Sequence, residues 1–360
     1  MAEKENDLLS FVSSVSGDTK LRVEESYGDG FVRLRVGEAE RRQAKHDIRC
    51  VEDAVVEMLR NARDAGAHRI YVATWRDSDM RSIVMLDDGC GIPAEMQSKV
   101  FDARVTSKLE SVHMDRWGIH GRGMALFSIK ENSSVAEVVT SAPSLGSSIR
   151  IELDTTSIAE KADQSSWPCV GTDEDGAQSV VRGPHNIIRT CCEFALEEKA
   201  SCEVYLGSPS DIIATIRARV RPSVDESSLL FIDDPSDLPV IERPLLAGDA
   251  SELMSISAGL GLEMSERTAH RILSGQIKPS RSVLARLTHR SDAKDDAEVD
   301  LTRDRRGLRV SEADSEEFSR LMERDFSFLG DRYYLSLVDE PRVHVSGDRV
   351  NVSFHIEKRD

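Results

Sequence analysis

Apolar positions change their spacing along the chain, and these changes mark the predicted elements. Residues 19–37 alternate between apolar and polar on both sides of Gly28-Asp29-Gly30, which predicts a β-hairpin. From Val51 to Ala62 the apolar residues recur at helical spacing, and Gly66 follows as a stop signal. The pattern therefore predicts an extended arm followed by a helix over 51–65.

Short apolar strands follow this helix. Residues 69–75 and 81–86 are predicted as two strands separated by a polar turn, and 135–141 with 147–153 as a hairpin. Helices that alternate with strands in this way pack on a sheet. We therefore predict an α+β fold in which residues 40–155 form an α/β sandwich, with helices on one face of a mixed sheet. A smaller α+β region with a helical segment follows it.

Shifts in polarity divide the rest of the chain. A helix over 186–198 and strands within 203–220 follow a polar stretch, and residues 250–290 are helical. The tail is predicted to hold a strand, a helix over 316–324 and a hairpin of 333–338 with 350–357. The predicted domains are an N-terminal strand hairpin or arm (1–39), the sandwich (40–155), a linker (156–180), an α+β segment with a transducer-like role as one interpretation (181–245), a helical, helix-turn-helix-like segment (246–292) and a C-terminal α+β segment (300–360).

Composition narrows the function classes. The 360 residues carry 47 Lys and Arg against 64 Asp and Glu, a formal net charge of −17. A field of this sign repels nucleic acid at long range, so a DNA contact would need a locally basic patch. The sequence shows no run of 18 apolar residues, no secretory leader and no CxxC pair among six sparse cysteines. A cytoplasmic protein without a membrane partner is therefore expected.

Three short motifs carry the candidate chemistry. The first lies on the predicted helix, where the four-residue step from Glu57 to Asn61 places both side chains on one face and Asp64 follows three residues later. A carboxylate and a carboxamide one turn apart can share a hydrated Mg²⁺ ion and a water, because the amide oxygen is a hard ligand and Glu can accept a proton. Taken alone, the same spacing also suits a solvated polar stripe.

The second motif, Asp87-Asp-Gly-Cys-Gly-Ile-Pro93, directly follows an apolar strand. Gly89 and Gly91 permit a tight turn and a close approach of the backbone to a flat ligand. A carboxylate at the end of the strand can accept a hydrogen bond from an exocyclic amine such as the 6-amino group of adenine. An ordinary Asp-Gly turn is the alternative interpretation.

The third motif, Gly118-Ile-His-Gly-Arg-Gly123, precedes an apolar helix. Backbone N–H groups of such a loop, with a helix N-terminus behind them, form a cradle for phosphate. The GxxGxG spacing is a weak signal by itself. The sequence does not contain the G-x-x-x-x-G-K-[ST] loop of P-loop proteins, which removes the common alternative.

In their order and spacing the motifs resemble the GHKL family of ATPases, which includes gyrase B, the Hsp-ninety chaperones, histidine kinases and MutL. The MutL-type branch is especially similar, on Asp64-Ala-Gly-Ala67, Asp87-Asp-Gly-Cys-Gly-Ile92 and Thr106-Ser-Lys108. The resemblance covers about residues 47–153. It implies a Bergerat-type ATP-binding domain with ATP and Mg²⁺ as its ligands.

The resemblance also implies a role for each matching residue. Glu57 would be the general base that activates the hydrolytic water, and Asn61 the protein ligand of Mg²⁺. The other implied cofactor-binding residues belong to the adenine pocket (Asp64, Asp87, Gly89, Gly91, Ile92 and Ser147), to the lid over the triphosphate (Gly118, Gly121 and Gly123) and to the start of the lid as a phosphate contact (Lys108). The lid departs from the MutL pattern, because its glycines are spaced more like those of the chaperones.

A different signal lies at residues 251–290. An apolar helix, a glycine-bearing turn and a second helix capped by Ser265 resemble a helix-turn-helix, with a turn two residues longer than usual. Residues 260–290 carry six basic and two acidic side chains, a local charge of +4. Arg267, His270 and Arg271 are the candidate DNA contacts. The alternative is a helical hairpin that packs within the protein or binds another one.

These observations lead to one hypothesis and two alternatives. The chain is predicted to be a GHKL-type ATPase that binds ATP and Mg²⁺, hydrolyses ATP slowly and acts as a nucleotide-driven conformational switch. ATP binding is expected to favour a homodimer, and closure of the lid to change the contact with a protein client. The alternatives are a DNA-binding transcriptional regulator with ATP as effector, and a kinase-like regulator that phosphorylates histidine or serine.

Overall fold

A computed structural model describes residues 23–28, 31–106, 113–115, 118–120, 123–161, 163–172, 178–224, 232, 234–292, 312–346 and 349–358. The chain divides into two units, Met1–Lys294 and Asp295–Asp360. None of the helices in these described ranges combines the length and the apolar character that crossing a membrane requires.

The first unit contains both helices and strands. In chain order they are β1 (Val23–Gly28), β2 (Phe31–Leu34), α1 (Glu38–Asp47), α2 (Val51–Asp64), β3 (Arg69–Asp77), β4 (Met80–Asp87), β5 (Val105–Thr106), β6 (His113–Asp115), β7 (Gly118–His120), α3 (Ala125–Asn132), β8 (Val135–Ser141), β9 (Ser147–Asp154), β10 (Cys169–Thr172), β11 (Gln178–Arg182), α4 (Ile187–Glu197), β12 (Glu203–Gly207), α5 (Pro209–Arg219), α6 (Ala250–Gly259), α7 (Glu266–Leu273) and α8 (Val283–Asp292). Short 3₁₀ turns lie at Ala94–Met96, Pro235–Asp237 and Arg243–Leu246.

A five-stranded mixed sheet organises this unit. Its strand order is β12-β3-β4-β9-β8, with β12 parallel to β3 and the other neighbouring pairs antiparallel. The predicted mixed sheet is therefore confirmed, as are the hairpins β1–β2 and β8–β9. Strand β4 lies in the middle, and its residues from Arg81 to Asp87 are all buried. A strand buried along this length has both of its faces covered.

Helices α2, α3 and α4 contribute to the core on one face of the sheet. Val55 and Leu59 of α2 pack there with Phe194 of α4, against Ile83 and Ile151 of the sheet. Helix α2 presents this stripe because its apolar residues recur at intervals of three and four. It ends where predicted, since Gly66 takes the left-handed φ of +76° that terminates helices.

Residues that follow the predicted sandwich cover the opposite face. Successive side chains of a strand point to opposite faces, so Tyr71 and Val84 face away from the first core. They pack with Ile212 of α5, Leu253 of α6 and Ile272 of α7. Within residues 40–155 the helices lie on one face of the sheet, as predicted. Helices from later parts of the chain cover the other face.

The prediction of strands within residues 203–220 is wrong after Gly207, where the chain forms helix α5. Ser208 begins this helix, because its hydroxyl accepts a hydrogen bond from the Asp211 N–H at 3.3 Å while the Asp211 carboxylate accepts one from the Ser208 N–H at 3.0 Å. Pro209 occupies the first helical turn, where a missing N–H costs nothing. This capping box is a helix signal that outweighs the β-branched residues that follow.

The second unit contains α9 (Glu312–Tyr333), β13 (Leu335–Leu337), β14 (Arg342–Ser346), β15 (Arg349–Ser353) and β16 (Ile356–Lys358). The helix is longer than the predicted 316–324, and the predicted pairing of 333–338 with 350–357 is wrong in part. Strand β13 pairs with β16, and β14 pairs with β15 inside that pair. The predicted strand near residue 301 lies outside the described residues.

Because both cores share one sheet, we expect them to unfold together. Ile83→Ala in the first core and Ile212→Ala in the second each remove a fully buried side chain and should lower the free energy of unfolding by about 2–5 kcal/mol. Urea titrations followed by tryptophan fluorescence and by circular dichroism test this. Val181→Ala, at a position 64% exposed, serves as the control and should change it by less than about 0.5 kcal/mol. Separate transitions for the two core variants would contradict a shared core.

Candidate functional site

A pocket of about 970 Å³ lies beside helix α2 and the ends of strands β4 and β9. The loop after β4 and the start of α3 complete its walls. Eight residues predicted from the sequence line this pocket: Glu57, Asn61, Asp64, Asp87, Gly91, Ile92, Gly123 and Ser147. The structure therefore gathers residues from three separate motifs around one space.

Helix α2 contributes one polar face to the pocket. Glu57, Asn61 and Asp64 lie on it, as their spacing predicted, and Arg60 lies between them. The Arg60 Nη1 stands 2.6 Å from the Glu57 Oε1, and the arginine side chain is only 5% exposed. Arg60 belongs to none of the predicted motifs, although its position three residues after Glu57 places it on the same helical face.

Asn61 carries an unsatisfied amide. Its Nδ2 is buried and has no hydrogen-bond partner among the described residues. A buried donor without an acceptor costs about 1–3 kcal/mol, so a ligand that satisfies it gains that free energy. The amide therefore fits a bound group with oxygen atoms and an associated hard cation, because its nitrogen can donate to the oxygens and its oxygen can coordinate the cation.

Asp64 is held in place by an arginine bridge. The Arg63 guanidinium lies 3.1 Å from the Asp64 carboxylate and 2.9 Å from that of Glu198, which follows helix α4. All three side chains are less than 20% exposed. The bridge therefore connects the pocket wall to the neighbouring helix of the first core.

Asp87 ends strand β4 and is buried at the base of the pocket. It lies opposite Ser147 in the β4–β9 register. The Ser147 hydroxyl donates a hydrogen bond to one carboxylate oxygen, and the Gly89 N–H donates to the other at 2.8 Å. Burial raises the pKa of Asp87 to about 6, although these two hydrogen bonds favour the ionised form. At neutral pH the carboxylate is ionised and both of its oxygens retain accepting capacity.

The loop after β4 requires glycine where backbones meet. Gly91 has φ +69°, and a Cβ there would lie 1.9 Å from the carbonyl oxygen of Ala142. Gly146 has φ +78°, and a Cβ there would lie 2.1 Å from the carbonyl oxygen of Asp87. The Ile92 N–H donates to the Ser141 Oγ at 2.8 Å, which fixes the end of the loop. The flat wall beside Asp87 is therefore built from closely packed backbone.

The predicted lid is described only in part. Gly118 begins strand β7, which pairs with β6, and Gly123 accepts a hydrogen bond from the Arg104 N–H at 2.8 Å. Lys108 and Gly121 lie outside the described residues. The Arg104 guanidinium is buried in the pocket wall and lies 2.6 Å from the Glu40 carboxylate. Sequence reasoning did not single out Arg104 either, because its partner is 64 residues away.

The candidate DNA contacts lie elsewhere in the first unit. Arg267, His270 and Arg271 are exposed on α7, while Ala269 and Ile272 of the same helix are buried in the second core. Within the described ranges none of the three exposed side chains forms an ion pair. A small unneutralised basic surface therefore lies on α7.

A known protein family matches the part of the chain that holds the eight predicted pocket residues. The family described as histidine kinase-, DNA gyrase B-, and HSP90-like ATPase matches residues 48–175. The DNA mismatch repair protein MutL of Thermus aquaticus is 40% identical over 86 residues, which cover 24% of this chain and 16% of that protein. MutL of Staphylococcus aureus strain Newman is 43% identical over 88 residues, covering 23% and 12% respectively. The matched stretch is thus a small part of each relative.

Solved structures add little to these sequence matches. The mycobacterial sensor histidine kinase MprB aligns at 21% identity over 34% of this chain and 74% of that chain, with a TM-score of 0.21.

The raised pKa of Asp87 makes stability depend on pH. The folded chain holds a proton on this carboxyl up to about pH 6, whereas the ordinary value of 3.8 describes the unfolded chain. Between these values folding binds a proton, so the stability gained from this group falls as pH rises. Relative to Asp87→Asn, the wild type should lose up to about 3 kcal/mol of unfolding free energy from pH 4 to pH 7. Urea titrations of both proteins across this range measure the difference, and parallel curves would contradict the shift.

Proposed function

We propose that this chain, in which residues 48–175 form a domain of the GHKL ATPase superfamily with its MutL-type motifs, binds ATP with Mg²⁺ and hydrolyses it slowly as a conformational switch. The observation that carries the proposal is the pocket itself. A buried carboxylate lies at its base and a Glu–Asn pair lies along its helical wall. Recognition of a base and chemistry on a phosphate can therefore occur in one space.

Adenine recognition is assigned to the base of the pocket. Each oxygen of Asp87 already accepts one hydrogen bond, from Gly89 or Ser147, and can accept another from the 6-amino group of adenine. Gly91 lines the pocket beside Asp87, and it lets the loop pack closely because a Cβ there would collide with the Ala142 carbonyl. Selection for adenine then follows from one amine donor that meets a buried acceptor.

Hydrolysis is assigned to the helical wall. Glu57 accepts a proton from a water whose oxygen bonds to the γ-phosphorus, while the bond from that phosphorus to the bridging oxygen breaks and ADP leaves with the electron pair. Asn61 is the residue that would hold Mg²⁺, which supplies charge neutralisation to the phosphates when bound. The unsatisfied amide of Asn61 supports this assignment.

Slow turnover suits a switch better than a metabolic enzyme. Gly118 and Gly123 belong to the predicted lid, and the Gly123 carbonyl accepts a hydrogen bond from the N–H of Arg104, which lines the pocket. A triphosphate that closes the lid would favour one conformation of this region and thereby change how the protein meets a client or a second copy. The client and the ATP-dependent homodimer are part of the proposal.

Two substitutions separate binding from hydrolysis. Glu57→Ala should lower kcat by about 10²- to 10⁴-fold, because the general base is lost, and should retain ATP binding. Asp87→Asn should weaken ATP binding by about 10- to 100-fold, because an amide cannot accept from adenine as a carboxylate does. Isothermal titration calorimetry and a phosphate-release assay measure the two effects. Glu38→Ala, on an exposed helical face, is the control, and full hydrolysis by both variants would overturn the proposal.

The exposed basic face of α7 favours DNA binding as a second candidate function, with ATP as an effector. Arg267 and Arg271 lie one turn apart and are exposed. Each phosphate contact releases counterions and adds about 0.9 to the slope of log affinity against log salt. Two such contacts would therefore give a measurable salt dependence despite the net charge of −17.

A gel-shift titration over a salt series tests this second function. Arg267→Ala with Arg271→Ala should reduce the salt slope by about 2 and weaken binding to any DNA sequence. Arg320→Ala with Arg324→Ala is the matched control, because those arginines are also exposed and four residues apart on a helix of the second unit. A lack of any shift by the wild type at low salt would remove DNA binding from consideration.

A further inference from the structure

Arg60 is placed to interact with the phosphates as well as with Glu57. Glu57, Arg60 and Asn61 share one face of α2, and all three line the pocket. The Arg60 side chain is 5% exposed and its Nη1 lies 2.6 Å from the Glu57 Oε1. A guanidinium therefore lies beside the assigned general base, on the residue that precedes the assigned metal ligand.

This ion pair opposes the proposed role of Glu57. An opposite charge at hydrogen-bond distance stabilises the ionised carboxylate and makes it a weaker proton acceptor. The paired oxygen also keeps less accepting capacity for a water. Movement of Arg60 to another acceptor would therefore make Glu57 a stronger base.

The described lining of the pocket contains two buried cationic side chains, Arg60 and Arg104. Each stands 2.6 Å from a carboxylate of the wall, Glu57 and Glu40 respectively. Arg60 is the one adjacent to Asn61. A phosphate offers a guanidinium the same paired-oxygen geometry as a carboxylate, with more negative charge.

We propose that Arg60 exchanges Glu57 for the γ-phosphate of ATP, so that arrival of the third phosphate releases the general base. This inference rests on the proposed function. Arg60 is then a positioning residue for Glu57 and a sensor that distinguishes ATP from ADP. Once Glu57 is released, it takes the proton of the attacking water as the γ-phosphorus gains that oxygen and loses the bridging one, and ADP leaves with the electron pair.

Equilibrium binding provides the first test, in a Glu57→Gln background that leaves no unpaired carboxylate when Arg60 is removed. Arg60→Ala in this background should weaken binding of a non-hydrolysable ATP analogue by about tenfold or more, and ADP by less than about twofold. For the analogue, the affinity of Arg60→Lys should lie between those of Arg60 and Arg60→Ala, because lysine keeps the positive charge but loses the two-pronged guanidinium contact. Equal losses for both nucleotides, or none, would overturn the inference.

Steady-state kinetics provide the second test, with Glu57 intact. Arg60→Ala should raise KM for ATP about tenfold and change kcat by less than about threefold, because Glu57 is already free of Arg60 in the wild-type complex. A residue that only supports Glu57 would instead lower kcat and leave the ratio of ATP to ADP affinity unchanged. Arg42→Ala, which breaks an exposed Arg–Glu pair on α1, is the control.

The two proposals fail in different ways. If the wild type shows no saturable ATP binding, the proposed function itself is wrong. If the wild type binds and hydrolyses ATP but Arg60 variants treat ATP and ADP alike, only the exchange is wrong. Should Arg60→Ala prove too unstable to purify, Arg60→Lys carries the same comparison, because it keeps a cation beside Glu57.

Discussion

Strand β4 and its pairing with β9 set the geometry on which the pocket depends. The strand is buried on both faces, and its register with β9 brings its last residue, Asp87, opposite Ser147. Burial of a carboxylate is costly unless hydrogen bonds compensate it. The Ser147 hydroxyl and the Gly89 N–H offset part of that cost. The result is a polar acceptor in apolar surroundings, which can select one amine-bearing ligand.

Residues next to the base of the pocket form hydrogen bonds with the segments that cover the opposite face of the sheet. The Val240 N–H donates to the Leu145 carbonyl at 2.7 Å, and the Ser148 hydroxyl donates to the Leu260 carbonyl at 2.8 Å. On the other side, Arg63 joins Asp64 to Glu198. A ligand that shifts the loop at residues 142–146 would therefore act on the segments that cover the opposite face of the sheet. This arrangement is suited to a switch, because both layers contact the same strands.

Much of the site could be predicted from local spacing. The interval from Glu57 to Asn61 places both on one helical face, and Asp87 follows an apolar run that is a strand. Arg60 shares that face, yet its meaning depends on a 2.6 Å ion pair that spacing alone does not reveal. Arg104 is harder to predict, because its partner Glu40 lies 64 residues away in the sequence, on helix α1. The capping box at Ser208 was a local signal for α5 that the apolar residues after it obscured.

Local sequence patterns were enough to predict the order of most elements, the face of α2 that lines the pocket and the carboxylate at the end of β4. These depend on periods of 3.6 and 2 residues and on turn chemistry, which act over a few neighbours. The parallel pairing of β12 with β3 and the cover of the second face by α5, α6 and α7 became clear only from the three-dimensional structure. The run from Ile83 to Leu86 is apolar on both faces, which requires two covering layers. Which segments cover them depends on contacts between residues more than a hundred positions apart, and no local period encodes those contacts.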